Sequence, residues 1–411
     1  MMSLQKLKQI VEVYKLFIFI LFLGNSYNLL SNDLYSSYQN SESLNLKRIN
    51  NFLEDGHFFN KVGNILPQSI EAIEYIHPYA GSVENFTNSR NFLSSLLKNN
   101  HKLSDTLLIN VLEIVYAGYR SEFLKENESI FLRSEHPKIL AITYLYLYRQ
   151  DKISLKVQKK FESSGSFNYL SSIKKNLTQQ HLPHPSLSEI LFHKFPTYGY
   201  TLYVLRKNFS SKLFIKTANN EFLKNSLGEP IEFSVNSRSV IDLPYYLPLG
   251  NTPEGIFKIK SVKNSQNPRI GPTPVVQLNL PYEISPEEFF PGSGEIIWSK
   301  ELYSKLLPET WKNYPAIFQS FEAGKNGRSG IWIHGSTLDP NRFENLKDRN
   351  TLTYGCISLP EIWENGYLKR SYQLELLKIL GENIEGYVVV IEVESLEKAL
   401  EEIKKPRQAG L

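Results

Sequence analysis

Two residues in this chain have the chemistry for acyl transfer. Cys356 is the only cysteine among 411 residues, and Gly355 directly precedes it. A glycine at that point frees the backbone for an unusual turn and lets a substrate carbonyl approach both the thiol and the neighbouring amide. The second residue closes the segment Gly330-Ile331-Trp332-Ile333-His334-Gly335-Ser336. On a strand, alternate residues share a face. Ile331 and Ile333 are therefore expected to enter a core, while Trp332 and His334 point the other way. Gly335 then permits a sharp turn. Thiols attack as thiolates, and an imidazole nearby takes the proton and lowers the effective pKa by ion pairing. All other histidines lie at His193 or earlier, so His334 is the base offered by this strand series. From its own segment it reads equally well as a structural histidine, and a lone Cys–His pair is a weak signal.

The elements that position these residues fall into two halves. From about Asp33 to Gln180 apolar residues recur at helical spacing, as in Phe92–Leu97, Leu103–Tyr119 and Pro137–Tyr148. His181-Leu182-Pro183-His184-Pro185 breaks this pattern. Its prolines deny the two histidines a helix, so they read as solvent-exposed linker residues and not as metal ligands. Beyond Thr197 short aromatic and β-branched runs predict strands: Tyr200–Leu205, Lys212–Lys216, Ile231–Val235, Gly255–Val262, Pro274–Leu280, Gly294–Trp298, Gly330–His334 and Tyr387–Val393. A helix is expected over Pro360–Leu380, and a polar helix or tail from Leu396 to Lys405. Gly324-Lys325-Asn326-Gly327-Arg328-Ser329-Gly330 precedes a strand and reads as a turn, since a phosphate loop leads into a helix. Asp339-Pro340-Asn341 reads as a helix start between the two chemical segments. The expected fold is α+β: a signal peptide (1–26), a helical domain (27–190), a mostly β catalytic domain with few helices (191–396) and a C-terminal tail (397–411).

Composition narrows the function classes. A net charge of +4 with no long Lys/Arg block argues against nucleic-acid binding. No tight ligand cluster suggests a metal. Lys6, Lys8 and Lys15 flank the apolar run Leu16–Leu23, and Gly24-Asn25-Ser26 follows. This is the pattern of an export signal, cleaved after Ser26 or retained as an anchor, and cleavage fits the short apolar run better.

Three boxes, in order, resemble the YkuD family of L,D-transpeptidases. They are Thr252-Pro253-Glu254-Gly255-Ile256-Phe257, His334-Gly335-Ser336 and Thr353-Tyr354-Gly355-Cys356-Ile357. The resemblance spans about residues 195–395. It implies that Cys356 is the nucleophile and His334 its base. The amides around Gly355 and Cys356 would bind the oxyanion, Gly335 and Ser336 would fix the histidine, and Thr353 would shape the turn. Trp332 and Tyr354 would line the cleft. Many relatives carry His where Tyr354 stands, and Arg or Asn where Ser358 stands. Arg342, Arg349 and Arg328 are the candidates to replace that substrate contact, together with Ser358 itself. The stretch Tyr282–Trp311 reads as an insertion over or beside the cleft.

The implied reaction is transfer of a peptidoglycan stem peptide through a Cys356 thioester to a neighbouring amine, forming a 3–3 cross-link or attaching a protein, without cofactor or metal. The expected partners are stem peptides, with a protein partner as the open role for the helical half. The expected location is the periplasm or cell wall. Two alternatives remain: a hydrolase on the same scaffold, and a non-catalytic wall-binding scaffold whose site has decayed.

Overall fold

A computed structural model describes residues 44–405 apart from 165–167, 179–181, 198, 266–269, 271–272, 337–352, 365–366 and 382–383. The expected signal segment, His181, Asp339-Pro340-Asn341, Arg342 and Arg349 lie outside the described residues, as do 406–411.

The protein is a mixed α+β molecule whose helices come first in sequence. The helix Asp105–Gly118 starts at Ser104, whose side chain accepts the Leu107 N–H, with Asp105 in its first turn. The helix Pro137–Tyr148 opens on proline, which needs no N–H there. Its residues Ile139 to Leu147 are all buried, so it is the central rod of the helical core. Asp105–Gly118, Leu124–Arg133 and Asn168–Thr178 pack against it, and Pro67–Ile76, Ser89–Lys98 and Leu155–Ser163 complete the same cluster.

Nine strands follow: β1 (Tyr200–Lys207), β2 (Ser210–Lys216), β3 (Glu232–Val235), β4 (Gly255–Lys263), β5 (Val275–Asn279), β6 (Trp332–Ser336), β7 (Ile357–Glu364), β8 (Tyr367–Ser371) and β9 (Gly386–Glu392). They form one sheet in the order β3-β2-β1-β9-β4-β5-β6-β7-β8. The β1–β9 and β6–β7 pairs are parallel and the other pairings antiparallel. The sheet curls until the residue after β3 meets β7: Asn236 and Ser358 exchange backbone hydrogen bonds, both 2.9 Å. One face, with Leu202, Val204, Phe257, Val276, Ile333, Ile357 and Leu359, buries against the helix Tyr372–Leu380 through Leu376 and Leu380. The opposite face, with Tyr203, Leu205, Tyr387 and Val389, is covered by the helix Leu187–Leu191, by Phe289, Trp298 and Trp311, and by Ala399 and Ile403.

The structure corrects several sequence expectations. Pro360 does not open a helix. It lies within β7, paired with Ser336, and β8 follows before the helix starts at Tyr372. Pairing on both edges and burial of Ile357 and Leu359 outweigh the local proline signal. Gly294–Trp298 is not a strand; Trp298 is instead an anchor for the segment Tyr282–Trp311 on the sheet. Residues 397–404 are no tail, because the helix Leu396–Lys404 buries Ala399 and Ile403. His184 is no solvated linker residue: it is half-buried, its Nε2 lies 3.0 Å from the Glu392 carbonyl, and its ring packs edge-on against Trp311.

The two halves also share a core. Val240, Ile241, Leu243, Tyr246 and Leu247, from the chain between β3 and β4, are buried in the helical cluster, and Tyr354 packs against it.

Candidate functional site

The site is built on the parallel pair β6–β7. Ile333 is opposite Ile357 and His334 is opposite Ser358. Ile333 and Ile357 share the core face, so His334, Ser358, Trp332 and Cys356 share the other one. The Trp332 N–H donates to Cys356 Sγ at 3.4 Å, which extends this register one residue upstream. Adjacent strands lie about 4.8 Å apart and two residues rise about 6.6 Å, so the Cα atoms of His334 and Cys356 are about 8 Å apart on one face.

Within that distance the thiol and imidazole are not hydrogen-bonded to each other among the described residues. Cys356 Sγ is 3.7 Å from the Gly330 carbonyl, its acceptor in this resting arrangement. His334 Nδ1 lies 2.5 Å from the Gly335 carbonyl. A carbonyl only accepts, so Nδ1 carries the proton, and Nε2, without a hydrogen-bond partner among the described residues, bears the lone pair. Burial pushes the His334 pKa down to about 4, opposed by that hydrogen bond. Burial likewise pushes the Cys356 thiol up, opposed by the Trp332 N–H and by the Arg328 charge. At neutral pH the resting pair is therefore an uncharged thiol and an uncharged imidazole, not the expected ion pair.

Thr353 closes the turn before Cys356. Its hydroxyl donates to the Cys356 carbonyl (2.7 Å) and accepts the Gly355 N–H (3.0 Å). That bond removes the Gly355 N–H from the expected pair of oxyanion donors and leaves the Cys356 N–H. Thr252, from the first of the three boxes, donates to the Gly355 carbonyl at 3.0 Å. Gly355 itself has φ +89°, and a Cβ there would collide with the Gly250 carbonyl and Arg328 Nη2.

Of the three candidate arginines only Arg328 is among the described residues, and it lies beside the Gly355 turn. It is 4% exposed and has no carboxylate hydrogen-bond partner among the described residues. Its guanidinium donates to the carbonyls of Tyr245, Gly250 and Asn251, the latter two at 2.5 Å. Burial pushes its pKa down to about 9, with the Cys356 charge acting in the opposite sense. It was expected as a substrate contact, but its buried guanidinium is taken up by backbone carbonyls, so it acts from beneath the turn.

Ser358 is 1% exposed, and its Oγ has no hydrogen-bond partner among the described residues. It shares the face of His334, so a polar atom is held ready beside the imidazole. Behind Gly335 lies Glu361, which accepts from Thr273 and Ser371, both at 2.8 Å. A Cβ at Gly335 would collide with Glu361 Oε1. Burial pushes the Glu361 carboxyl up to about 7, and its second oxygen has no hydrogen-bond partner among the described residues. Sequence reasoning missed Glu361, because it lies in the stretch read as helix. Ser336 is buried at the end of β6, opposite Pro360. Trp332 is half-buried at its start.

Tyr354 turns away from the thiol toward the helical half, where its hydroxyl lies 2.9 Å from His77 Nδ1. Among the described residues no group of three or more His, Cys, Asp or Glu side chains is placed to hold a metal ion, and no helix is long and apolar enough to cross a membrane. Compared with known protein families, with curated proteins and with solved structures, the chain matches none.

Proposed function

We propose that this chain is an exported L,D-transpeptidase of the YkuD type, acting on peptidoglycan stem peptides through Cys356 with His334 as base. The observation that carries the reading is the β6–β7 register, which sets the one thiol and an imidazole whose Nδ1 is bonded to a carbonyl on the same face of neighbouring strands.

The steps follow from that geometry. Rotation about the Cys356 Cα–Cβ bond takes the thiol from the Gly330 carbonyl toward His334. Nε2 accepts the proton as Sγ attacks the carbonyl joining the third stem residue to the terminal D-alanine. The oxyanion meets the Cys356 N–H, and the Arg328 charge below the turn favours the anionic intermediate. The imidazolium returns the proton to the departing amine, D-alanine leaves, and a Cys356 thioester remains. An acceptor amine then loses a proton to Nε2 and attacks the thioester. A new amide forms and the thiol is restored. A buried imidazole with a depressed pKa suits this cycle, because it is neutral at the start of each half.

A second reading, the decayed scaffold, draws on the thiol's bond to Gly330 and its raised pKa. Incubation of the purified chain with a tetrapeptide stem, with and without an amine acceptor, separates the readings. Transpeptidation predicts D-alanine release together with an acceptor-dependent cross-linked product. Release with hydrolysed product alone identifies a hydrolase. No release at all, from a folded chain, rejects both enzymatic readings.

A further inference from the structure

The buried polar cluster that the mechanism leaves unused lies in the helical half. Glu113, on the helix Asp105–Gly118, is fully buried. Its Oε2 lies 2.7 Å from His77 Nε2, and its Oε1 lies 2.7 Å from Lys138 Nζ at the start of the helix Pro137–Tyr148. A buried carboxylate needs pairing, and Lys138 and His77 supply it. A carboxylate only accepts, so His77 donates to it from Nε2, and its Nδ1 lies 2.9 Å from the Tyr354 hydroxyl. Lys138, Glu113, His77 and Tyr354 therefore form one connected polar chain. It ends one residue before the Gly355–Cys356 turn, although His77 and Tyr354 are 277 residues apart in sequence.

The helical half also grips the opposite wall of the turn. The Tyr245 hydroxyl donates to Asn176, and Asn326 donates to Ser172 at 2.9 Å. Lys175 pairs with Glu322 at 2.5 Å. Tyr245 supplies one of the carbonyls that hold Arg328, and Asn326 lies two residues before Arg328 in the chain. Both supports of the thiol, the Tyr354 turn and the Arg328 cradle, are thus tied to helices.

We infer that His77 is a positioning residue for Cys356, and that through the His77–Tyr354 hydrogen bond the helical half sets the reactivity of the thiol. With the bond in place, the turn holds Sγ against the Trp332 N–H and near the Arg328 charge, the two influences that favour the thiolate. Without it the turn loosens, both influences weaken, and less thiolate is present at neutral pH. The inference rests on Cys356 being the reactive group of the proposed enzyme. Its readout needs no peptidoglycan, however, so the two can fail separately.

The test is the rate of Cys356 alkylation by iodoacetamide against pH in the full chain, for Tyr354→Phe, His77→Leu, the double variant and His77→Gln, with folding checked by circular dichroism. Each single variant is expected to slow alkylation at neutral pH about five-fold, the size of one net hydrogen bond, and to move the pH midpoint upward. The double variant should match the singles. His77→Gln, which retains both an acceptor and a donor, should recover most of the rate. An unmoved midpoint in folded Tyr354→Phe overturns the inference, even if His77→Leu fails to fold. So do additive effects in the double variant.

Discussion

The Trp332 N–H donates to Cys356 Sγ across 3.4 Å, so the strand that carries His334 also holds the thiol. This contact, with the Arg328 charge beneath the turn, opposes the effect of burial on Cys356. The thiol is thus supported by backbone and by a cation before any base approaches it.

Arg328 should be the electrostatic part of that support. Arg328→Gln is expected to raise the pH midpoint of Cys356 alkylation, while Arg328→Lys, which keeps the charge, should stay nearer the parent. Both variants leave buried carbonyls without their donors and should lose about 1–3 kcal/mol of stability or more, read by urea denaturation. A folded Arg328→Gln with an unchanged midpoint would show that the charge plays no part.

Gly355 leaves no room for a side chain. Gly355→Ala forces a Cβ against the Gly250 carbonyl and Arg328 at a positive φ. The expected cost is about 1–3 kcal/mol, with a loss of alkylation rate as the turn shifts. An unchanged melting temperature would mean that the turn is not built as described.

Two buried groups give opposite pH dependences of stability. His334 has a folded pKa near 4, below its usual value near 6.5. The unfolded chain binds that proton first, so stability from His334 is complete above about pH 6.5 and falls on acidification toward pH 4. Glu361 has a folded pKa near 7 against a usual 4.5. Its contribution is complete below about pH 4.5 and is lost as pH rises to 7. Between pH 4.5 and 6.5 the two oppose each other. Glu361→Gln removes the second dependence, so its stability relative to the parent should improve from pH 4.5 to 7 by on the order of 3 kcal/mol. A pH-independent difference between the two proteins would contradict this.

What the sequence displayed, and what it hid, follows the range of the interactions. The alternation Ile331-Trp332-Ile333-His334 is a local pattern, and the structure buries the two isoleucines on the core face while His334 takes the other one. Thr353 closes a turn within four residues, so its part was legible too. Pro360 misled because a proline is also common at a helix start, and the pairing that makes β7 a strand comes from Ser336 and its neighbours. Arg328 was a candidate for a substrate contact, but its guanidinium is buried on backbone carbonyls. His77 and Glu113 join the site only through tertiary contacts, and nothing beside them in sequence marks them. The same holds for the shared core: residues 240–247 resemble any apolar loop until they are seen among helices.

The central claim, that Cys356 and His334 act as nucleophile and base, is tested most directly by carbapenem acylation followed by intact-protein mass spectrometry. The parent chain is expected to gain one carbapenem at Cys356, Cys356→Ser none, and His334→Ala the same adduct at a rate lower by about 10²–10⁴-fold. A parent chain that takes up no carbapenem while iodoacetamide still labels Cys356, or a His334→Ala variant acylated as fast as the parent, would contradict the account.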